Sequence, residues 1–304
     1  MTAHMDKLTA ALQNSKLPDQ DKPKLEEAVA RYKTWIAKLE SLKGEPQDIL
    51  KEMVTLTNEY KRFVEVDLIF DSKDDFLYRQ KGQLKLDNSI LEEFLPRLVD
   101  PRLVPGIANV ENFTSGPQQC FAGMYIGPIG LPLNEGGIFI KTKNQDFTVG
   151  RKLYFQVSTD SKFSSKKMLF SELNIAYFVA EIKTNLDKTM FQEAAATARE
   201  LKTNVRESIY FVLCEWLDMS PIDTRMTDID RVVLLRKAKR LPSNVRSEFS
   251  TYEGRSRNRE LFVTHIDRNP LNWESFNIIV NALVEAFPLD AKLSESDVLT
   301  RGHF

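Results

Sequence analysis

Cysteine and histidine are scarce in this chain. Cys120 and Cys214 are its only cysteines, too few for a disulfide scaffold or a cysteine-rich zinc module. Cys214 lies in an apolar stretch and reads as a small buried hydrophobe. The three histidines, His4, His265 and His303, are scattered. They leave no HExxH zinc site and little basis for a Ser–His–Asp hydrolase; His265 reads as a surface or structural position. Glycine-rich phosphate motifs are missing too, with neither GxxxxGK[ST] nor GxGxxG present. No apolar run reaches the roughly 20 residues of a membrane span. Met1 to Lys16 lacks an apolar signal core, so the expected location is the cytoplasm, with no membrane partner. An excess of one charge is lacking as well: 42 Lys and Arg stand against 43 Asp and Glu over 304 residues. That balance argues against indiscriminate coating of nucleic acid and leaves room for a local binding face.

What is present is globular in composition, 42% hydrophobic and 28% charged. Residues 23–43 predict an amphipathic helix. Asp21 is placed to cap it, Pro23 lies in its first turn, and Leu25, Val29, Tyr32, Ile36, Leu39 and Leu42 recur at helical spacing. A second helix after Pro46 carries Leu50, Met53, Leu56, Tyr60 and Phe63 on one face. The short link through Gly44 makes the two an antiparallel hairpin, a packing or docking subdomain over residues 1–66. A helix is expected over 85–98, and irregular connections over the Gly- and Pro-rich 101–138.

The texture then turns to strands: GIFIKTK (137–143), LYFQV (153–157) and the mostly apolar IAYFVAEIK (175–183). The Ala-rich 189–202 is helical, 209–216 (IYFVLCEW) and 232–236 (VVLLR) are strands, and a last helix runs from Trp273 to Phe287. The third strand, the Ala-rich helix and the fourth strand form a βαβ crossover in an α/β core spanning residues 67–304.

The chemistry concentrates in Glu181-Ile182-Lys183. In a strand, residues i and i+2 share a face, so Glu181 and Lys183 lie side by side while Ala180 and Ile182 face the other way. Charges at the end of so apolar a strand need partners or a ligand. Metal-assisted phosphodiester hydrolysis requires hard oxygen ligands for Mg²⁺ and profits from an adjoining lysine. A second carboxylate should come from an upstream strand. Asp146 suits that position and Asp160 competes with it; Glu92 or Glu93 is a candidate outer carboxylate on a helix, but both read first as a solvated helix face. From Arg225 to Arg259 ten basic residues face four acidic ones, a local excess of six. Arg236, Lys237, Lys239, Arg240 and the alternating Arg255, Arg257 and Arg259 are the candidate DNA contacts.

This arrangement resembles the PD-(D/E)xK nuclease superfamily, with Asp146, Glu181 and Lys183 at the motif positions. Gln192 matches a supporting polar residue on the following helix, and Gln145 stands where the motif has proline. The stretches 79–96, 181–202, 212–224 and 228–241 resemble type II restriction endonucleases of the BbvCI kind. The resemblance implies a restriction-endonuclease-like mixed sheet flanked by helices, with the helical hairpin in front. It implies Mg²⁺-dependent cleavage of double-stranded DNA to 5′-phosphate and 3′-hydroxyl ends, one strand per active site, with Asp146, Glu181 and the Ile182 carbonyl as metal ligands. A second related subunit, as heterodimer or homodimer, would cut the other strand. A structure-specific repair nuclease and a non-catalytic DNA-binding subunit are the alternatives.

Overall fold

The computed structural model describes residues 2–127, 138–158, 160–164, 168–289 and 295–302. The apolar IAYFVAEIK segment is the heart of β3 (Met168–Leu186), the central strand of a five-stranded sheet. The sheet runs in sequence order: β1 (Phe113–Ile126), β2 (Ile138–Ser158), β3, β4 (Ile209–Leu217) and β5 (Arg231–Lys239). The first three strands pair antiparallel and the last three parallel. Such a central strand is apolar on both faces because both are covered. Phe178, Ala180 and Ile182 pack with one layer of helices, while Val179 packs under the other. At Gly150, where β2 bulges against β3, a Cβ would stand 1.9 Å from the Ile175 carbonyl oxygen, so only glycine permits that approach.

The crossover from β3 to β4 is α6 (Lys188–Asn204), capped by Asp187, whose side chain accepts the Met190 N–H at 2.9 Å. Its buried Ala194 and Ala198 bring the helix axis close to the sheet. The opposite face carries α1 (Ala3–Leu12), α2 (Lys22–Ser41), α3 (Pro46–Arg62), α5 (Ser89–Phe94) and α10 (Trp273–Ala286). In the α2–α3 hairpin Trp35 stacks on Tyr60 with centroids 5.0 Å apart. The buried stripe of α2 is Leu25, Ala28, Tyr32, Trp35 and Leu39, with Val29 and Ile36 on its flank. Asp21 does not cap α2; its carboxylate accepts from the Ser72 hydroxyl. The chain continues from α3 through a π-helical segment, Phe63–Phe70, so residue 66 lies inside continuous helix. One hydrophobic cluster runs from Leu8 through the hairpin to Phe147, Phe178 and Phe211 of the sheet.

Several elements differ from the sequence expectations. Residues 113–126, expected to be irregular, form edge strand β1, whose register shifts flank Pro117 and Ala122. Gly and Pro are tolerated there because an edge strand can bulge. The expected strands at 137–143 and 153–157 are parts of the single long β2; Gly137, residues 128–136 and His303 lie outside the described residues. The expected helix at 85–98 is the shorter α5 followed by a 3₁₀ turn, Leu95–Leu98. Helices α1 and α4 (Asp75–Gln83) were not anticipated. The Arg255–Arg259 run, alternating in sequence, spans the short helices α8 (Tyr252–Arg257) and α9 (Arg259–Arg268), after α7 (Ser243–Glu248).

Candidate active site

The site forms where β3 loses a partner. Pairing of β2 with β3 ends at Phe147 opposite Ala180, while β3 stays paired with β4 through Leu186. The Ile182 N–H would otherwise be an unpaired donor, which costs about 1–3 kcal/mol when buried. It donates instead to Asp146 Oδ2 at 2.9 Å. A strand residue's N–H and C=O point to the same side, so the Ile182 carbonyl faces the same opening. The i, i+2 spacing places Lys183 Nζ 2.7 Å from Glu181 Oε1. From β4, the Tyr210 hydroxyl donates to Glu181 Oε2 at 2.9 Å.

These groups border a cavity of about 340 Å³ lined also by Lys85, Asn88, Lys143, Gln145, Met190 and Thr197. Lys85 is exposed and has φ of 51°, in the left-handed region. Burial pushes the Asp146 carboxyl above its ordinary pKa; the Ile182 N–H opposes this and the neighbouring Glu181 charge adds to it. Burial pulls the Lys183 ammonium down, but the hydrogen bond and charge of Glu181, with Asp146 and Glu193 behind it, outweigh burial and leave its pKa raised. The Tyr210 phenol is raised by burial and by Glu181, so it stays protonated as a donor. Two carboxylates and a carbonyl offer only hard oxygen. No group of three or more His, Cys, Asp or Glu placed to hold a metal occurs among the described residues. That sparse set fits Mg²⁺, which keeps several waters and takes one or two carboxylates.

Asp146, Glu181, Ile182 and Lys183 are thus brought together, and other predicted residues are not. Asp160 lies in the turn beyond the far end of β2, where its carboxylate accepts from Ser164 Oγ at 2.7 Å and the Lys162 N–H at 3.1 Å. Gln192 is exposed on α6 and does not line the cavity; Met190 and Thr197 are on the face that does. Glu92 pairs with Lys7 at 2.7 Å, and Glu93 accepts the His4 N–H and lies 3.6 Å from Arg97.

The basic segment needs a larger correction. Arg236 is buried between two carboxylates, 2.8 Å from Glu65 and 3.0 Å from Glu215, and donates to the Asn269 carbonyl. Lys61 completes the set, 3.2 Å from Glu65 and 3.0 Å from Glu215. Arg255 is buried too, donating to the carbonyls of Phe70, Ser72 and Phe249 and pairing with Asp75. Both guanidinium groups are buried and engaged by internal partners, as a buried charge requires. Arg257 and Arg259 are exposed and paired with Glu248 and Asp71, and Lys237 with Glu274. Lys239 is exposed. Arg240 pairs with Asp218 at 3.2 Å and lines a second cavity of about 620 Å³ with Arg79, Arg246 and His265. The two cavities share Thr184 and Asn185. His265 stacks on Trp216 at 4.6 Å; burial and then Arg236 lower its pKa. Sequence reading missed Tyr210, Lys85 and Asn88 as members of the first cavity. Tyr210 had no signal beyond a phenol in an apolar strand, whereas Lys85 and Asn88 stand in the 79–96 stretch that carried the resemblance.

A mixed sheet covered by helices on both faces, with two carboxylates and a lysine meeting where two strands part, defines a protein of the restriction-endonuclease-like class. A family model of the Bpu10I restriction endonuclease matches residues 83–304, and the chain belongs to that family. Its fold is similar to that of the solved native BbvCI A2B2 tetramer, with a TM-score of 0.65 at 19% sequence identity over 97% of this chain and 99% of that one. No curated protein sequence matches the chain. Among the described residues no helix is long and apolar enough to cross a membrane.

Proposed function

We propose that the chain is a catalytic subunit of a type II restriction endonuclease, hydrolysing one strand of a specific DNA site per active site with Mg²⁺. The observation that carries this reading is the convergence of Asp146, Glu181 and Lys183 at the end of the β2–β3 ladder. Asp146 and Glu181, with the Ile182 carbonyl, would hold the metal. When bound, Mg²⁺ supplies Lewis acidity at the scissile phosphate and lowers the pKa of water. Lys183 orients the attacking water and offsets charge on the phosphorane. Tyr210 keeps Glu181 aimed at the cavity, and Lys85, exposed at its mouth, meets the DNA backbone. One chain offers one such site, so a double-strand break takes a second subunit, related or identical. The solved BbvCI tetramer, described as A2B2, supports two kinds of subunit for this enzyme as well.

The test is cleavage of a supercoiled plasmid of diverse sequence in Mg²⁺, with the end positions sequenced, comparing the chain with Lys183→Ala. The assay is run with and without the companion subunit from the same host. Nicking or cutting at one fixed sequence, with one strand spared by Lys183→Ala, is the expected result. Cleavage set by mismatches or flaps would instead point to a repair nuclease. Undiminished cutting of both strands by the variant enzyme would remove Lys183 from the chemistry.

A further inference from the structure

Asn88 occupies the position before α5, where an asparagine ordinarily accepts a hydrogen bond from the first turn of the helix. Here its side chain makes no such bond. The residue is 4% exposed, lines the cavity that holds Asp146 and Glu181, and its Oδ1 has no partner among the described residues. A buried carbonyl without a donor is costly, and such groups mark places where a ligand or water completes the structure. The polarity of the group restricts its partner. An amide oxygen is repelled by phosphate, and it accepts from the hydrogens of water, which a divalent cation polarises. Gln145, on the same cavity, shows the opposite case: its Nε2 is an unpartnered buried donor. A donor suits an anion and cannot serve a cation.

We propose that Asn88 is a positioning residue of the metal site, its Oδ1 accepting a hydrogen bond from a water of hydrated Mg²⁺ held by Asp146 and Glu181. This rests on the metal-site reading above. Groups that orient a metal's immediate ligands typically change affinity by 10–100-fold when removed. Mg²⁺ binding to the full chain without DNA, followed by titration calorimetry, tests it independently of cleavage. Asn88→Leu is expected to weaken binding about 10-fold or more and Asn88→Asp to tighten it. Gln145→Leu, which removes an orphan donor from the same cavity, leaves binding no weaker. Thermal unfolding without metal checks that each variant folds, and Asn88→Ala replaces Asn88→Leu if the larger side chain does not fit. Equal weakening by the Asn88 and Gln145 variants would show a packing effect and overturn the proposal, as would unchanged binding in Asn88→Leu. Glu181→Gln separates the two readings: if it too leaves Mg²⁺ binding intact, the metal site itself is misplaced, and if it alone weakens binding, only the role of Asn88 fails.

Discussion

Replacing Arg236 by methionine tests whether the basic segment is structural at its centre. Arg236 is 4% exposed, and its guanidinium makes three contacts of 2.8–3.0 Å: to Glu65, to Glu215 and to the Asn269 carbonyl. It also lies 4.8 Å from the Trp216 ring centroid. Its removal leaves two buried carboxylates sharing Lys61 alone. Breaking a buried ionic set by deleting one partner costs about 3–5 kcal/mol. At about 2 °C per kcal/mol for a chain of this size, the melting midpoint should fall by about 6–10 °C. Lys239→Met, at an exposed position of the same strand, should stay within about 0.5 kcal/mol of the parent. Acid changes the gap in a definite direction. Burial raises the Glu65 pKa, but Arg236 and then Lys61 outweigh it and hold the group well below the ordinary 4.5. Its stabilising contribution is therefore full above about pH 4.5 and fades below it. In Arg236→Met burial prevails, Glu65 takes up a proton at higher pH, and the deficit relative to the parent shrinks as pH falls from 7 toward 5. Adding Glu215→Gln to Arg236→Met should recover much of the lost stability. Thermal and urea unfolding across this pH range provide the measurement. A midpoint unchanged within about 1 °C, together with weakened DNA binding, would refute the structural role and return Arg236 to the DNA face.

Tyr210→Phe removes the donor to Glu181 Oε2 without changing the packing of β4. Mg²⁺ affinity should drop about 10-fold or more while the melting midpoint moves little, as read by calorimetry and thermal unfolding. Mg²⁺ binding should also weaken with acid earlier than an ordinary aspartate would dictate, because Asp146, raised by burial, takes a proton at higher pH and a protonated carboxyl does not ligate. Titrations from pH 8 to 5 should show this, and the dependence should flatten in Asp146→Asn. Gln192→Ala, on the exposed side of α6, should leave the cleavage rate within about two-fold; a loss of 100-fold or more would mean that α6 turns toward the substrate in the working complex.

The centre of the fold was legible because its physics is local. A strand covered on both faces must be apolar throughout, and a crossover helix lying close to it must present small residues; IAYFVAEIK and the Ala194–Ala198 face satisfy both. The pairing of Glu181 with Lys183 follows from strand alternation alone. The burial of Arg236 and Arg255 was not legible because composition counts charge and does not name its partner. The partners of Arg236 and Arg255, Glu65 and Asp75, lie 171 and 180 residues away in the chain. Strand β1 was missed because Gly116, Pro117 and Gly123 signal turns unless the strand is known to be an irregular edge. Gln192 lies on the other side of α6 from the cavity: positions 190 and 197 line it, and residue 192 is exposed.

The position of the site follows from what β3 is asked to do. It serves an antiparallel neighbour as far as Ala180 and a parallel neighbour to its end. Where the antiparallel neighbour stops, backbone donors and acceptors on one edge lose their ladder partners, and something must satisfy them. Asp146 does so with one oxygen, given to the Ile182 N–H, and keeps the other free. Burial dehydrates this carboxylate and raises its pKa although the Ile182 N–H opposes the shift, which makes a cation a natural means of stabilising its charge. Glu181 is held differently, with Lys183 on one oxygen and Tyr210 on the other. A divalent cation at Oε1 would compete electrostatically with the Lys183 ammonium there, whereas the neutral Tyr210 phenol on Oε2 would not be repelled. With a metal held by Asp146 and Glu181, Lys183, which already lines the cavity, would be less tightly engaged by Glu181 and available to the attacking water and the phosphate. The same strand ending that opens the sheet brings together the two carboxylates, the burial that biases Asp146 and the lysine beside them.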